Sequence, residues 1–374
     1  MIYQDFKNIK VSWLGMGNMR LPVKDDAIDR EKAQEIIDYA MTNGINYFDT
    51  SYVYHNSESE KFLGDALEKY PRDSYYLATK FFINANPDYK AVFEEQCERL
   101  KTDYIDFYLI HGIFDTTYQG YIDSGCIAYF EELKAQGRIK YLGFSAHASI
   151  ENFTTFVNHH QWDFTMIMIN PYDWLFGRAK EEYEILRELN IPIISMEPIR
   201  GGRLASLSPE AEKMLKEVNP DWSIVEWMIR WAKNRTGNIV VLSGMTTLDQ
   251  IKENVRLLSD DKALSDDEEV LLHQAMEVFR KELQVPCTDC RYCIEDGLCH
   301  ANIDIPEYLR VFNAYKVDGF FALSGLDNIE SDGKPTDCTT CGKCAARCPQ
   351  TIDIQGIMSE LSEIIKQREA RQNI

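Results

Sequence analysis

Eight apolar, strand-type runs alternate with amphipathic stretches over most of the chain, and no other feature restricts the fold as tightly. The runs occupy residues 11–15, 45–49, 75–80, 105–111, 139–145, 164–170, 192–197 and 239–244. Between them, apolar side chains recur at helical spacing: Ala33, Ile36, Ile37 and Ala40 in one stretch, Val92, Phe93, Gln96 and Leu100 in another, Ile224, Trp227, Met228 and Trp231 in a third. Strands this apolar on both faces belong in a parallel sheet covered on both sides. Eight such units in about 250 residues predict a (β/α)8 TIM barrel, an α/β fold. An open doubly wound sheet is the alternative. It lacks support, because no Gly-x-Gly-x-x-Gly follows the first run, where Gly15-Met16-Gly17 is only a fragment.

A last helical stretch, residues 266–282, is expected to turn Val270, Leu271, Ala275 and Phe279 inward. Beyond it the composition changes abruptly. Of ten cysteines, Cys97 and Cys126 stand alone before residue 287 and read as buried small hydrophobes. The other eight lie between Cys287 and Cys348. That step predicts two domains, a barrel over residues 1–283 and a small α-helical ferredoxin-like iron–sulfur domain over residues 284–374. Within the second, residues 306–315 and 352–369 read as helices. Residues 323–336, rich in Gly, Ser, Asp and Pro, read as loop.

The eight cysteines form two runs. Cys338-x2-Cys341-x2-Cys344-x3-Cys348-Pro349 is the iron–sulfur pattern, in which three closely spaced thiolates hold one cluster and the fourth reaches the other. Cys287-x2-Cys290-x2-Cys293-x5-Cys299 follows it for three cysteines, then has a longer gap and His300 where proline is usual. Crossed ligation tolerates that longer gap. The expected sets are Cys287, Cys290, Cys293 and Cys348 for one [4Fe-4S] cluster, and Cys299, Cys338, Cys341 and Cys344 for the other. A pair of structural zinc sites is the alternative.

The net charge of -20 argues against nucleic acid and against anionic membrane surfaces. No apolar run reaches the ~18 residues of a membrane span, and no leader pattern opens the sequence. A cytoplasmic location is expected.

Four polar residues close successive strands in this reading: Asp49 and Tyr54 after the second, Lys80 at the end of the third, His111 at the end of the fourth. In a barrel of this kind, the C-terminal strand ends carry the chemistry. A tyrosine is a weak acid at neutral pH. An adjacent ammonium stabilises its phenolate, and a carboxylate keeps that ammonium charged. His111 can donate a hydrogen bond to a carbonyl oxygen. Together the four can polarise a C=O group and protonate the alkoxide formed from it.

On Phe48-Asp49-Thr50-Ser51-Tyr52-Val53-Tyr54, Leu77-Ala78-Thr79-Lys80, Leu109-Ile110-His111 and Leu142-Gly143-Phe144-Ser145, the chain resembles the aldo/keto reductases. With the cysteine runs it is similar to the subgroup whose barrel carries a C-terminal 4Fe-4S ferredoxin-like domain. The resemblance implies that Asp49, Tyr54, Lys80 and His111 are the catalytic tetrad, with Tyr54 as proton donor to a small carbonyl substrate. It also implies NAD(P)H bound without a Rossmann motif. Ser145 keeps one nicotinamide contact. Ala146 and Met166 replace the polar residues that usually supply the others, with Asn170 or His147 as substitutes. Glu197, Gly201 and Gly202 after the seventh strand are expected at the pyrophosphate. Ser243, Gly244, Gln250 and Asn254 are expected at the adenosine half. No basic residue between Thr246 and Gln250 is placed to grip a 2′-phosphate. Tyr172, Trp174, Phe176, Phe81 and Phe82, with Met16 and Met19, are expected around the mouth. Hydride transfer needs no iron–sulfur cluster, so one-electron delivery from a ferredoxin or flavoprotein partner is a second reading. A non-catalytic redox sensor is a third.

Overall fold

The computed structural model describes residues 1–282 and 285–372, so the expected domain boundary between 283 and 284 lies outside the described residues. Two compact units are present: Met1–Arg200 with Trp222–Val270, and Gly201–Asp221 with Leu271–Ile374.

The first unit is a closed parallel barrel. Its strands are β1 (Leu14–Gly17), β2 (Tyr47–Asp49), β3 (Tyr76–Phe81), β4 (Ile105–Ile113), β5 (Ile139–Ala146), β6 (Phe164–Met168), β7 (Ile193–Met196) and β8 (Asn238–Gly244). β8 closes onto β1 through Ser243↔Met16 and Gly244↔Gly17. Ala78, Phe107, Leu109, Phe164, Met166, Ile194 and Val240 fill the interior around Tyr47 and Phe6. Burial of this apolar surface is the main stabilising term. At Gly15 a Cβ would stand 2.6 Å from Val240 and 2.9 Å from Tyr47, so only glycine lets these two close.

Two expectations about the barrel strands need correction. The first run is two elements. Residues 9–12 pair antiparallel with Tyr3–Phe6, and the barrel strand starts only at Leu14. That hairpin delivers Phe6 to Phe107 and Tyr141, with ring centres 5.4 and 4.8 Å away. The sixth run stops at Met168, because Asn170 caps a new helix, Pro171–Phe176. Its side chain accepts from the Asp173 backbone N–H, with proline at the first helical turn.

In the second unit, Arg203 lies over the Phe279 ring, 5.4 Å from its centre. The helix Asp266–Glu282 turns Leu272, Ala275, Met276 and Phe279 inward. Val270 is 56% exposed, against expectation, since the buried face runs from Leu272 rather than Val270. The cysteine region packs around Tyr308, Leu309, Phe312, Met358 and Leu361 from the helices Ile305–Asp318 and Ile354–Gln372. Residues 323–328, expected as loop, belong to 3-10 turns spanning Gly319–Asn328.

Candidate active site and cysteine chambers

Asp49 closes β2 and Lys80 lies one residue from the end of β3, and both are almost fully buried. Lys80 Nζ donates to Asp49 Oδ1 at 2.5 Å and to the Thr50 carbonyl at 2.6 Å. Burial pulls the ammonium down and the carboxyl up, and each partner opposes the shift of the other. Lys80 Nζ stands 4.9 Å from the centre of the Tyr54 ring. The His111 ring lies edge-on to that ring at 5.8 Å. His111 Nδ1 is 2.9 Å from the Ser51 hydroxyl. In the tautomer whose Nδ1 accepts from Ser51, Nε2 carries the proton and can donate to a substrate. The four predicted residues therefore meet at the C-terminal strand ends.

Sequence patterns did not mark the groups behind this cluster. Asn18 donates to the Asp49 carbonyl at 2.8 Å. Gln96 donates to the Lys80 carbonyl at 3.0 Å and to Glu60 at 2.8 Å. Glu60, fully buried, also accepts from Thr79 at 2.5 Å and pairs with Arg99 at 3.0 Å. Burial raises the Glu60 carboxyl, and these donors counter it.

The expected cofactor residues make hydrogen bonds within the chain. Ser145 Oγ accepts from the Gly112 N–H at 2.9 Å. Met166 is buried in the interior. Asn170 donates to Asp173 (2.7 Å) and to the Glu197 carbonyl (3.1 Å), while its oxygen accepts from Asp173 N–H. Those bonds tie its amide to the protein. His147 stacks on Phe114 at 5.2 Å, and burial followed by Arg178 pushes it down to about 3. Glu197 follows β7 with φ +52, in the left-handed region. Burial and Asp173 push its carboxyl up to about 7, against Arg20 and Arg200, and Oε2 has no hydrogen-bond partner among the described residues. Gly201 and Gly202 are left-handed too, at φ +62 and +94, and open space surrounds a Cβ built on Gly202.

Around β8, Asn254 donates to Ser243 at 3.0 Å. Gln250 accepts from the N–H groups of Thr246 and Thr247 at 2.7 and 3.2 Å, closing a capping box at the helix Leu248–Leu257. A cation from elsewhere in the chain stands beside these residues. Arg20 lays its stem along Gly244, 3.2 Å from where a Cβ would be, and its carbonyl accepts from Thr246 Oγ1 at 2.8 Å. Of the expected aromatic rim, Phe82 meets His111 at 5.5 Å. Phe81 instead packs outward against Tyr121 and Phe130.

In the second unit the cysteines divide as crossed ligation requires. One chamber is lined by Cys287, Cys290, Cys293 and Cys348, the other by Cys299, Cys338, Cys341 and Cys344. The Cys293 thiol is pushed up by burial first, then by Cys290, Cys348 and Cys287. The Cys344 thiol rises to about 11 by burial, with Cys338, Cys299 and Cys341 next among the groups that raise it. Among the described residues no three His, Cys, Asp or Glu side chains close in on a point that would hold a single ion. Four thiols spaced around each chamber fit a cluster better than zinc. Backbone turns repeat between the halves. Asp289 and Arg291 are left-handed, as are Thr340 and Gly342 at the same places in the other run, and Asn302 matches Thr351. Asn302-Ile303-Asp304-Ile305 and Thr351-Ile352-Asp353-Ile354 are thus the two copies of an internal repeat.

Residues 13–275 match the aldo/keto reductase family, and residues 286–352 match a 4Fe-4S dicluster domain. An uncharacterized oxidoreductase of Bacillus subtilis (strain 168), YqkF, is 29% identical over 283 residues, covering 67% of this chain and 88% of that one. An NADH-specific methylglyoxal reductase of Escherichia coli (strain K12) is 24% identical over 327 residues, covering 73% of this chain and 97% of its own. The solved holo form of an aldo-keto reductase from Bacillus halodurans superposes with a TM-score of 0.62 at 26% identity, over 74% of this chain and 96% of its own. No helix among the described residues is long and apolar enough to cross a membrane.

Proposed function

This chain belongs to the aldo/keto reductase family, and from that premise we propose that it reduces a small aldehyde or ketone to an alcohol, or runs the reverse, with NAD(P)H. The observation that carries this reading is the buried Lys80–Asp49 pair set against the Tyr54 ring, with His111 beside it. A bound nicotinamide supplies or accepts the hydride. Tyr54 gives its hydroxyl proton to the alkoxide oxygen. Lys80 stabilises the phenolate left behind, and Asp49 keeps Lys80 charged. His111, held by Ser51, donates to the carbonyl oxygen and draws charge off its carbon.

Ser145, Glu197, Gly201, Gly202, Ser243, Gly244, Gln250 and Asn254 remain the proposed cofactor-binding residues, and Arg20 joins them as the cation for its phosphates. Asn170 serves by holding the Glu197 backbone rather than by touching the ring. Two [4Fe-4S] clusters, one in each chamber, form an electron relay in the domain spanning 284–374, which follows in sequence a barrel spanning 1–283. Anaerobic protein should oxidise NADH or NADPH with a panel of carbonyls, and Tyr54→Phe should lose that turnover about 10²- to 10⁴-fold. Undiminished turnover in Tyr54→Phe would sink the assignment.

A second reading has its own observation. The two chambers have no task in hydride transfer, and the nicotinamide cradle keeps few polar contacts. Under it, a ferredoxin or flavoprotein feeds single electrons through the clusters in the cytoplasm. Bleaching of the cluster absorbance by NAD(P)H alone, without any partner, counts against it.

A further inference from the structure

The two cysteine repeats differ in the spacing of their last cysteine. Five residues separate Cys293 from Cys299, whereas three separate Cys344 from Cys348. Cys293 and Cys299 nevertheless line different chambers. The longer span must therefore turn sharply and hold that turn. It does so through two consecutive left-handed residues, Asp296 at φ +55 and Gly297 at φ +67. Such a turn is natural for glycine and tolerated by aspartate better than by most residues. A contact from outside the span can fix it in one conformation.

Arg347 is placed to do this. It is 6% exposed, and its guanidinium donates to Glu295 Oε2 at 3.2 Å and to Asp296 Oδ2 at 3.5 Å. The residue after it, Cys348, lines the chamber of Cys293. Its backbone is thus tied to one chamber while its side chain holds the loop that leads to the other. A guanidinium suits the task, since its fixed fork engages two carboxylates at once.

We infer that Arg347 is a positioning residue: its ion pairs with Glu295 and Asp296 fold the Cys293–Cys299 span so that Cys299 reaches the cluster held by Cys338, Cys341 and Cys344. The inference rests on the two-cluster reading above and adds which residue makes the irregular repeat work. Without Arg347 the span keeps Cys299 but samples many more conformations, so the fourth thiolate is in place for a smaller share of the time. Iron should leave that cluster first. The cluster with Cys287, Cys290, Cys293 and Cys348 keeps its own short run intact.

The test uses the full chain purified without oxygen. Iron and acid-labile sulfide are counted, iron release to a ferrous chelator is timed, and reduced samples are examined by electron paramagnetic resonance. Wild type should hold about eight irons, four per cluster. Arg347→Met should release about four of them at least ten-fold faster than wild type, leaving the spectrum given by Cys299→Ser. Arg347→Lys should fall between Arg347→Met and wild type, because one charge survives without the fork. Glu295→Gln with Asp296→Asn should reproduce Arg347→Met from the other side of the pair. If Arg347→Met does not accumulate as soluble protein, that double variant decides alone. Wild-type release rates and spectra in these chains would overturn the inference, as would equal, simultaneous loss of both clusters. A wild-type count near four irons would instead sink the two-cluster reading itself, whatever Arg347 does.

Discussion

Lys80 and Asp49 form an ion pair of 2.5 Å in which neither side chain is more than 2% exposed. Their surroundings disfavour both charges, and the pair persists because each ion answers the other. Asp49 Oδ2 has no hydrogen-bond partner among the described residues. The carboxylate is therefore aimed at one purpose, and it leans on Lys80 for its charge. A pair of this kind is weak evidence for stability, and under the proposed function its task is to tune Tyr54.

Lys80→Met should cut carbonyl reduction about 10²- to 10⁴-fold by removing the ammonium that stabilises the Tyr54 phenolate. It should also destabilise the fold by about 3–5 kcal/mol, because a buried carboxylate is left alone. The double variant Lys80→Met/Asp49→Asn should recover stability without recovering turnover. Urea denaturation and steady-state kinetics on the same preparations separate the two effects. Recovery of both together would show that Lys80 acts only through the fold.

Glu60→Ala should be among the most destabilising single changes in the barrel unit. It removes the acceptor shared by Thr79, Gln96 and Arg99 and leaves the Arg99 side chain, only 10% exposed, short of one of its two carboxylates. A loss of about 3–5 kcal/mol is expected, with Glu60→Gln milder because it keeps an acceptor for Thr79. Gln96 also holds the Lys80 carbonyl, so the same variant should raise the KM or lower the kcat measured with any working carbonyl. Thermal denaturation and kinetics check the two parts.

Glu60 illustrates which parts of the molecule the sequence leaves unreadable. The barrel and the placement of Asp49, Lys80 and His111 follow from strands apolar on both faces, whose ends fix where a polar residue emerges. The crossed cysteine sets follow from spacing. Contacts between distant positions leave no local pattern: Glu60 with Gln96, Ser51 with His111, Arg20 with Thr246. The start of β1 is not legible because a hairpin and a barrel strand share one apolar run with a single break at Trp13. Asn170 reads as strand in the sequence, and its capping bond to Asp173 puts it at a helix start. The matched Asn302 and Thr351 segments lie open in the sequence, yet only their common backbone turn made the repeat evident.

Stability should fall as pH rises from about 4.5 to about 7, beyond what other groups cause, on account of Glu182 and Glu197. Burial lifts both carboxyls from 4.5 to about 7 in the folded chain. A raised folded value means that the native state binds the proton more tightly than the unfolded chain does. The contribution is therefore complete below about 4.5 and lost as pH climbs through about 7. Each group accounts for up to a few kcal/mol at that conversion. Glu182→Gln and Glu197→Gln should flatten the decline between pH 5 and 8 in denaturant titrations. A slope unchanged in both variants would mean that neither carboxyl holds its proton in the fold.

Arg20→Met should weaken cofactor binding without touching the proton chemistry at Tyr54. The guanidinium stem crosses Gly244 at the end of β8, the Arg20 carbonyl anchors Thr246, and Asn18 in the same turn is bonded to Asp49. That turn therefore carries a fixed cation to the strand ends where phosphate groups bind in barrels of this kind. Removing one charge-assisted contact to a phosphate costs about 1.5–3 kcal/mol, or roughly a ten- to hundred-fold rise in Kd. Arg20→Lys should lose less, since the charge remains while the two-pronged geometry does not. Fluorescence titration with NADH and NADPH reads the position along the cofactor. An equal loss for both places Arg20 at the pyrophosphate, which is the outcome expected from its neighbours Gly244 and Glu197. A loss confined to NADPH would move it to the 2′-phosphate, and no loss for either would remove it from the cofactor site.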